Sequence, residues 1–314
     1  GFSAKQFSYL AVDDIDYYEV PTPTSEILYR TGLEQGQVVD ALFTLNFSRR
    51  FNASIAYKGL RSLGKYRRSL ASHGNFRTTF NYKTANDRYR LKGHYASQDF
   101  FNQENGGLPA EEIVKFVEDE PDFETRARLD VHLNDAENLF KGTRFYIEHD
   151  YTLLANKDTI TNTDDSNLKV GHVLMTEKKQ YRFNQNTVTT EIFGENNPTK
   201  SKIPTVKSNI ATNQLFVALT SKYLLGTLKV QSNFTNYTHG YDTILNTNAT
   251  FTKTRLRGDA VGFGAHWKAG IKNVTWDANA TITPGNGRLS GENFKATASY
   301  HKDSLFTATA TVLV

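Results

Sequence analysis

The chain contains no cysteine, which removes disulfides, thiolate metal ligation and cysteine nucleophiles from consideration. It also lacks an excess of charge of either sign. Its 37 lysines and arginines stand against 33 aspartates and glutamates, for a net charge of +4 and a pI near 9.0. That bias is too mild for a nucleic-acid-binding surface. No run approaches the ~20 apolar residues that a membrane-spanning helix needs. Mean hydropathy is −0.53, yet a sheet that hides its apolar residues at alternate positions is invisible to any average. Enzyme signatures are missing too: there is no His-Glu-x-x-His, no P-loop lysine and no Gly-x-Ser-x-Gly elbow. Only Asp164-Asp165 offers neighbouring carboxylates for a hard cation. Neither catalysis nor a cofactor is expected.

What the sequence does have is a period of two. In Tyr89, Leu91, Gly93 and Tyr95 the apolar set alternates with Arg88, Arg90, Lys92 and His94. Ala127, Leu129, Val131 and Leu133 alternate with Arg126, Arg128, Asp130 and His132. Val274, Trp276, Ala278, Ala280 and Ile282 stand opposite Thr275, Asp277, Asn279 and Thr281, and Phe306, Ala308, Ala310 and Val312 stand opposite three threonines. Successive side chains of a strand point to opposite faces, so each segment has one apolar and one wet face. Glu148-His149-Asp150 looks like a catalytic set, but in a strand His149 points away from both neighbours.

Alternation alone also describes a β-sandwich. Two features favour a barrel in a membrane. The polar face is often charged, as a water-filled lumen requires, and short connections alternate with long ones. Short connections fall near 48–50, 83–87, 176–179, 221–226, 268–273 and 302–304. Long ones fall near 59–73, 98–123, 154–167, 194–212, 238–254 and 283–292. The reading is all-β: a large antiparallel transmembrane β-barrel of about fifteen strands. They lie at 25–31, 38–48, 50–58, 74–82, 88–97, 124–133, 144–153, 168–175, 180–193, 213–220, 227–237, 255–267, 274–282, 293–301 and 305–314. Bacterial single-chain barrels have even strand numbers, so further strands beyond Val314 are expected. Residues 25–314 form the barrel. Residues 1–24, with Pro21 and Pro23 two apart, form an extended lead-in or plug segment.

Several clusters are candidates for function. Arg77, Arg88, Arg90, Lys92, Arg126 and Arg128 fall on polar faces of consecutive strands about 4.8 Å apart and would line one wall of the pore. Cationic rings favour anions. Glu148 and Asp150, on the next strand, are placed to neutralise Arg126 and Arg128 across the ladder. Pro109 opens a short helix through Val114, in a loop whose acidic residues Glu118, Asp119, Glu120 and Asp122 suit an inward fold that narrows the pore. Lys58, Arg61, Lys65, Arg67 and Arg68 would face lipid headgroups or sugar phosphates on the outer side, or form a solvated cationic loop. Tyr57, Tyr82, Tyr95, Tyr151, Trp267 and Tyr300 suit interfacial girdles. The triplets Asp158-Thr159-Ile160, Asp242-Thr243-Ile244 and Asp303-Ser304-Leu305 resemble an O-glycosylation motif.

The stretch Asp14-Ile15-Asp16-Tyr17-Tyr18-Glu19-Val20-Pro21-Thr22-Pro23-Thr24 resembles the Putative porin family of Bacteroidota outer membranes. So do Glu34-Gln35-Gly36-Gln37, Tyr57-Lys58-Gly59-Leu60-Arg61-Ser62-Leu63-Gly64-Lys65-Tyr66 and Glu104-Asn105-Gly106-Gly107-Leu108. The resemblance covers the first third in detail and the rest in pattern. It implies a large barrel of the bacterial outer membrane, in contact with its lipid and lipopolysaccharide. The expected function is passive diffusion of small polar, including anionic, solutes. The alternative is a barrel with a plugged lumen that serves as a partner in an outer-membrane assembly or secretion complex.

Overall fold

The computed structural model describes residues 8–118, 121–157, 164–187, 192, 205–244, 251–285, 290–302 and 306–313. Among these residues, thirteen strands form one antiparallel sheet in which every strand pairs with its sequence neighbours. They are β1 (Thr24–Gly32), β2 (Gly36–Ser48), β3 (Phe51–Ser62), β4 (Ala71–Lys83), β5 (Tyr89–Glu104), β6 (Ala136–Lys157) and β7 (Asp164–Asn184). The series continues with β8 (Thr205–Ser221), β9 (Gly226–Ile244), β10 (Phe251–Ile271), β11 (Val274–Thr283), β12 (Gly291–Lys302) and β13 (Phe306–Leu313). One helix, α1 (Ala110–Val117), lies between β5 and β6. It begins directly after Pro109, whose carbonyl accepts from the Glu112 and Ile113 amides. No described helix is long and apolar enough to cross a membrane.

Two expectations about strands are corrected. Residues 124–133 form no strand, although Leu129, Val131 and Leu133 are buried at alternate positions. Their backbone makes no ladder: the Asp130 amide donates to the Glu112 carboxylate, the His132 amide to the Gly107 carbonyl and the Leu133 amide to the Asn105 carbonyl. Gly106 and Gly107 take left-handed φ values of 70° and 90° to bring those acceptors round. A Cβ on Gly106 would stand 2.7 Å from Leu133, so this pair of glycines packs the loop. The second correction joins 168–175 and the first part of 180–193 into the single strand β7, which ends at Asn184. Residues 176–179 continue its ladder instead of turning, with Glu177 opposite Arg144 and Lys179 opposite Gly142.

Removing one strand and fusing two others leaves the alternation of connections intact elsewhere. At one end of the sheet lie 49–50, 84–88, 158–163, 222–225, 272–273 and 303–305. At the other lie 33–35, 63–70, 105–135, 185–204, 245–250 and 284–290. The connection expected as a long one at 154–167 shrinks to 158–163 and belongs to the short-turn end, because β6 and β7 extend into it.

The registers sort side chains into two faces. One carries Ile27, Phe43, Ile55, Tyr57, Phe145, Leu215, Val217, Val230, Phe234, Val261, Phe263 and Phe294, most of them exposed. A water-soluble protein rarely leaves so continuous an apolar surface open. In β10 this face runs from Val261 through Phe263, Ala265, Trp267 and Ala269 to Ile271. That run spans ten residue steps of ~3.3 Å, and at a strand tilt of ~40° it covers about 25 Å of height, the thickness of an outer-membrane apolar band. Tyr82, Tyr151, Trp267 and Tyr300 lie on this face near the short-turn end, whereas Tyr57 and Tyr95 lie farther along it. The Trp267 indole donates to the Leu224 carbonyl at 3.1 Å and meets Trp276 edge-on.

Candidate functional site

The opposite face is polar from β1 to β13, and residues 8–20 lie on part of it. The Leu10 amide donates to Gln98 Oε1 at 2.8 Å, and Gln98 Nε2 returns a bond to the Leu10 carbonyl at 3.0 Å. Asn75 and Asn81 donate to the carbonyls of Ser8 and Tyr18, and Lys83 pairs with Glu19 at 2.8 Å. Val12 packs on Tyr146, Val173, Phe216 and Ala218. An extended segment that makes no ladder of its own thus satisfies its backbone with Asn and Gln side chains of the sheet.

The segment centres on Arg144, whose side chain is 2% exposed. Its guanidinium donates to the Leu10 carbonyl at 2.9 Å, to His94 Nε2 at 3.0 Å and to Glu177 at 3.3 Å. Tyr9 donates its hydroxyl to the same Glu177 carboxylate, which Lys179 also holds at 2.8 Å. Because Arg144 can only donate, His94 Nε2 carries the lone pair and the proton sits on Nδ1. Nδ1 therefore donates to the Tyr17 hydroxyl, 2.8 Å away. Burial, then the bond to Glu177, pushes the Tyr9 hydroxyl far above its ordinary value; burial and the charge of Glu148 do the same to Tyr17. Nothing local in the sequence singles out Arg144 or Glu177. The one available signal is that Arg144 continues the polar alternation of Tyr146, Glu148 and Asp150.

The predicted pore-lining residues separate. Arg77 lies on the polar face 3.9 Å from Asp40, which also meets Lys58 at 3.5 Å. Lys92 pairs with Glu148 at 2.9 Å, and Glu148 accepts from Tyr146 at 2.6 Å. Arg90 stands directly across from Asp150. Arg88 falls in the turn before β5, exposed. Arg126 and Arg128 leave the strand wall altogether. They form a 3-10 turn in the 105–135 loop, where Arg126 covers the Phe116 ring at 4.4 Å and Arg128 donates to the Asp122 carbonyl. Glu148 and Asp150 therefore face Lys92 and Arg90, not Arg126 and Arg128. His149 points to the apolar face, away from its neighbours, and meets His172 at 3.3 Å.

The cluster from Lys58 to Arg68 is also divided. Arg67 pairs with Asp130 and Arg68 donates to the Ala136 carbonyl, so both brace the 105–135 loop, while Arg61 and Lys65 are exposed. In that loop Glu112 is buried, accepting from Lys115 and from the Asp130 amide. Asp158-Thr159-Ile160 and Asp303-Ser304-Leu305 lie outside the described residues. The side chains of Asp164 and Asp165 are likewise not described, and no metal-binding group of three or more occurs among the described residues.

Away from residues 8–20, the polar face of β9–β12 has a different balance. Register aligns Lys229, His266, Asn279 and Lys295 in one row, and Lys268 with Asp277 in the next. His266 contacts Asp277 at 2.8 Å. Among the described residues Lys268 and Lys295 form no ion pair.

A sequential antiparallel sheet with an apolar band of membrane height on one face and a continuous polar surface on the other is the wall of a transmembrane β-barrel. The chain belongs to the family described as Putative porin, which it matches over residues 1–313. Its fold is similar to that of the ferric-catecholate import receptor Fiu of E. coli K12 in its closed form. The TM-score is 0.60 at 11% identity, over 93% of this chain and 50% of the receptor. The siderophore receptor PiuA of Acinetobacter baumannii aligns with a TM-score of 0.47 at 10% identity, over 94% of this chain and 46% of that one. The chain thus spans about half the length of these solved receptors. No curated protein matches it at a significant level. Family and fold together place the chain among outer-membrane-type β-barrels.

Proposed function

We propose that the chain forms the wall of a pore in the bacterial outer membrane, in the Bacteroidota, through which small polar solutes diffuse with a preference for anions. The observation that carries this reading is the split of the polar face. Where residues 8–20 cover β2–β8, cations are matched by Asp40, Glu148, Asp150 and Glu177. Where the face is uncovered, on β10–β12, Lys268 and Lys295 outnumber Asp277, which His266 already contacts at 2.8 Å. An unmatched cationic track beside water raises the local concentration of anions. Solutes then pass along the Thr, Asn and Gln surface of β8–β13. The segment 8–20 and the 105–135 loop narrow the remaining lumen.

The test is single-channel conductance of the full-length protein in planar bilayers, with reversal potentials in a salt gradient. A steady conductance that prefers anions, and loses that preference in Lys268→Gln with Lys295→Gln, supports the reading. A properly inserted but silent barrel overturns it. That outcome favours a second reading, which rests on the hydrogen-bonded segment 8–20: a plugged barrel that serves as a partner in an outer-membrane assembly. Recovery of partner proteins in fixed ratio from detergent would then be expected.

A further inference from the structure

On the apolar face, the strands β6–β10 run on past the membrane band, and the side chains that follow the band are cationic. In β10 the band ends at Val261, and Asp259, Arg257 and Arg255 succeed it. In β8 it ends at Ala211, followed by Asn209 and Lys207. In β7 Thr176 gives way to Lys178, Gln180 and Arg182, and in β6 Thr143 gives way to Lys141. All of this lies toward the end that carries the long connections 105–135 and 185–204.

Register gathers these residues. Lys141, Gln180, Lys207, Gly240 and Arg255 form one row, and Thr143, Lys178, Asn209, Thr238 and Arg257 form the next toward the band. Lys178 is therefore the diagonal neighbour of both Lys141 and Lys207, at a spacing of about 7–8 Å. Lys141, Lys178, Arg182 and Arg257 are exposed, and among the described residues they form no ion pair. The acids on this face are Asp99, opposite Lys141, Asp259, which is bonded to Asn236 at 2.7 Å, and, in the rows farther from the band, Glu137, which accepts from Asn184 at 3.3 Å, and Asp242, opposite Thr205. Across β6–β10 the two rows nearest the band hold five cations and no acid, and such a row on a surface that continues an apolar band is not explained by solvation of a loop or by the lumen.

We infer that this collar binds the phosphate groups of a phosphorylated glycolipid of the membrane leaflet at the long-loop end, with the acyl chains lying on the band below. The sheet supplies both halves of such a ligand's chemistry in vertical sequence: apolar side chains for the chains, then donors for the phosphates within one strand step. A soluble anion would meet only the second half. The proposal rests on the membrane reading of the preceding section, and its readout is independent of conductance. Silent bilayers would leave it untouched, and its own failure would leave the pore standing.

The test is native mass spectrometry of the full-length protein released from detergent, with diphosphoryl lipid A as the probe and its fully dephosphorylated form as comparison. Each cation beside a charged headgroup contributes about fivefold in affinity. The triple variant Lys141→Gln, Lys178→Gln, Arg257→Gln is expected to lose about a hundredfold in lipid A retention. The control Arg49→Gln, Arg88→Gln, Lys272→Gln, which removes three charges at the short-turn end, retains it. Equal retention of the phosphorylated and dephosphorylated lipid, or unchanged retention by the triple variant, overturns the proposal. Equal loss in the two triple variants overturns it as well, since net charge would then suffice.

Discussion

Replacing Arg144 by leucine should release the N-terminal segment while leaving the sheet assembled. The substitution removes the charge-assisted bond to the Leu10 carbonyl and the contacts to Tyr9 and His94. A hydrogen bond to a charged group contributes about 1.5–3 kcal/mol. Breaking a buried pair outright costs about 3–5 kcal/mol, but Glu177 keeps Lys179 at 2.8 Å, which brings the loss near 2 kcal/mol. At 1.36 kcal/mol per factor of ten, opening of the segment becomes about thirtyfold more frequent. The reporter is the Leu10 amide, held by Gln98 in the native state. Hydrogen exchange of the purified protein in detergent should show Leu10 and its neighbours exchanging about thirtyfold faster, with the amides of β4 and β5 unchanged. If β4 and β5 loosen to the same degree, Arg144 supports the sheet and not the segment. If Leu10 does not respond, the anchoring lies elsewhere.

Further outcomes follow from other parts of the molecule. Tyr9 and Tyr17 have hydroxyls raised above the ordinary value, so their contribution is complete below about pH 10 and falls as pH rises beyond it; proteolysis within residues 8–20 should speed up there, and less so in Tyr9→Phe. Lys268→Glu with Lys295→Glu should turn the reversal potential from anion- to cation-preferring, and an unchanged sign would remove the track from the permeation path. Leu215→Arg, in the middle of the apolar band of β8, should cost about 2–4 kcal/mol of folding stability in lipid vesicles, whereas Thr297→Arg on the polar face should be tolerated. The β1–β2 turn places Glu34 and Gln35 at φ 57° and 53°, and Glu34→Asn with Gln35→Gly should stabilise that hairpin by about 1–2 kcal/mol in urea titrations, because the pair suits a type I′ turn.

The period of two made both faces of the sheet legible, and with them the outward direction of His149 and the helix after Pro109. It misled where burial imitates a ladder. Leu129, Val131 and Leu133 alternate because a loop folds over them, and their backbone meets the carbonyls of Asn105 and Gly107 in place of a neighbouring strand. It misled again at Glu177, Lys178 and Lys179, where three consecutive charges resemble a turn, yet one of them is the buried partner of Arg144. Glu148 and Asp150 face Lys92 and Arg90 in place of the cations expected for them, since Arg126 and Arg128 were placed on a strand that does not form. The site around Arg144 was not readable because its partners come from Tyr9, Leu10 and His94, which only the completed sheet brings together.

Tyr9 meets Glu177 across 168 positions of sequence, and this sets an order of assembly. Contacts of such span are the slowest to form, because the chain between them must first be arranged. Residues 8–20 are synthesised before the strands they dock on, yet they find their partners only after β4 to β8 have paired. Until then the asparagines, glutamines and charges of that face are bare, and the segment itself is unfolded chain available to a chaperone or a protease. The seating of this segment is thus the last check on the sheet, and a barrel with β7 out of register would have nowhere to put it.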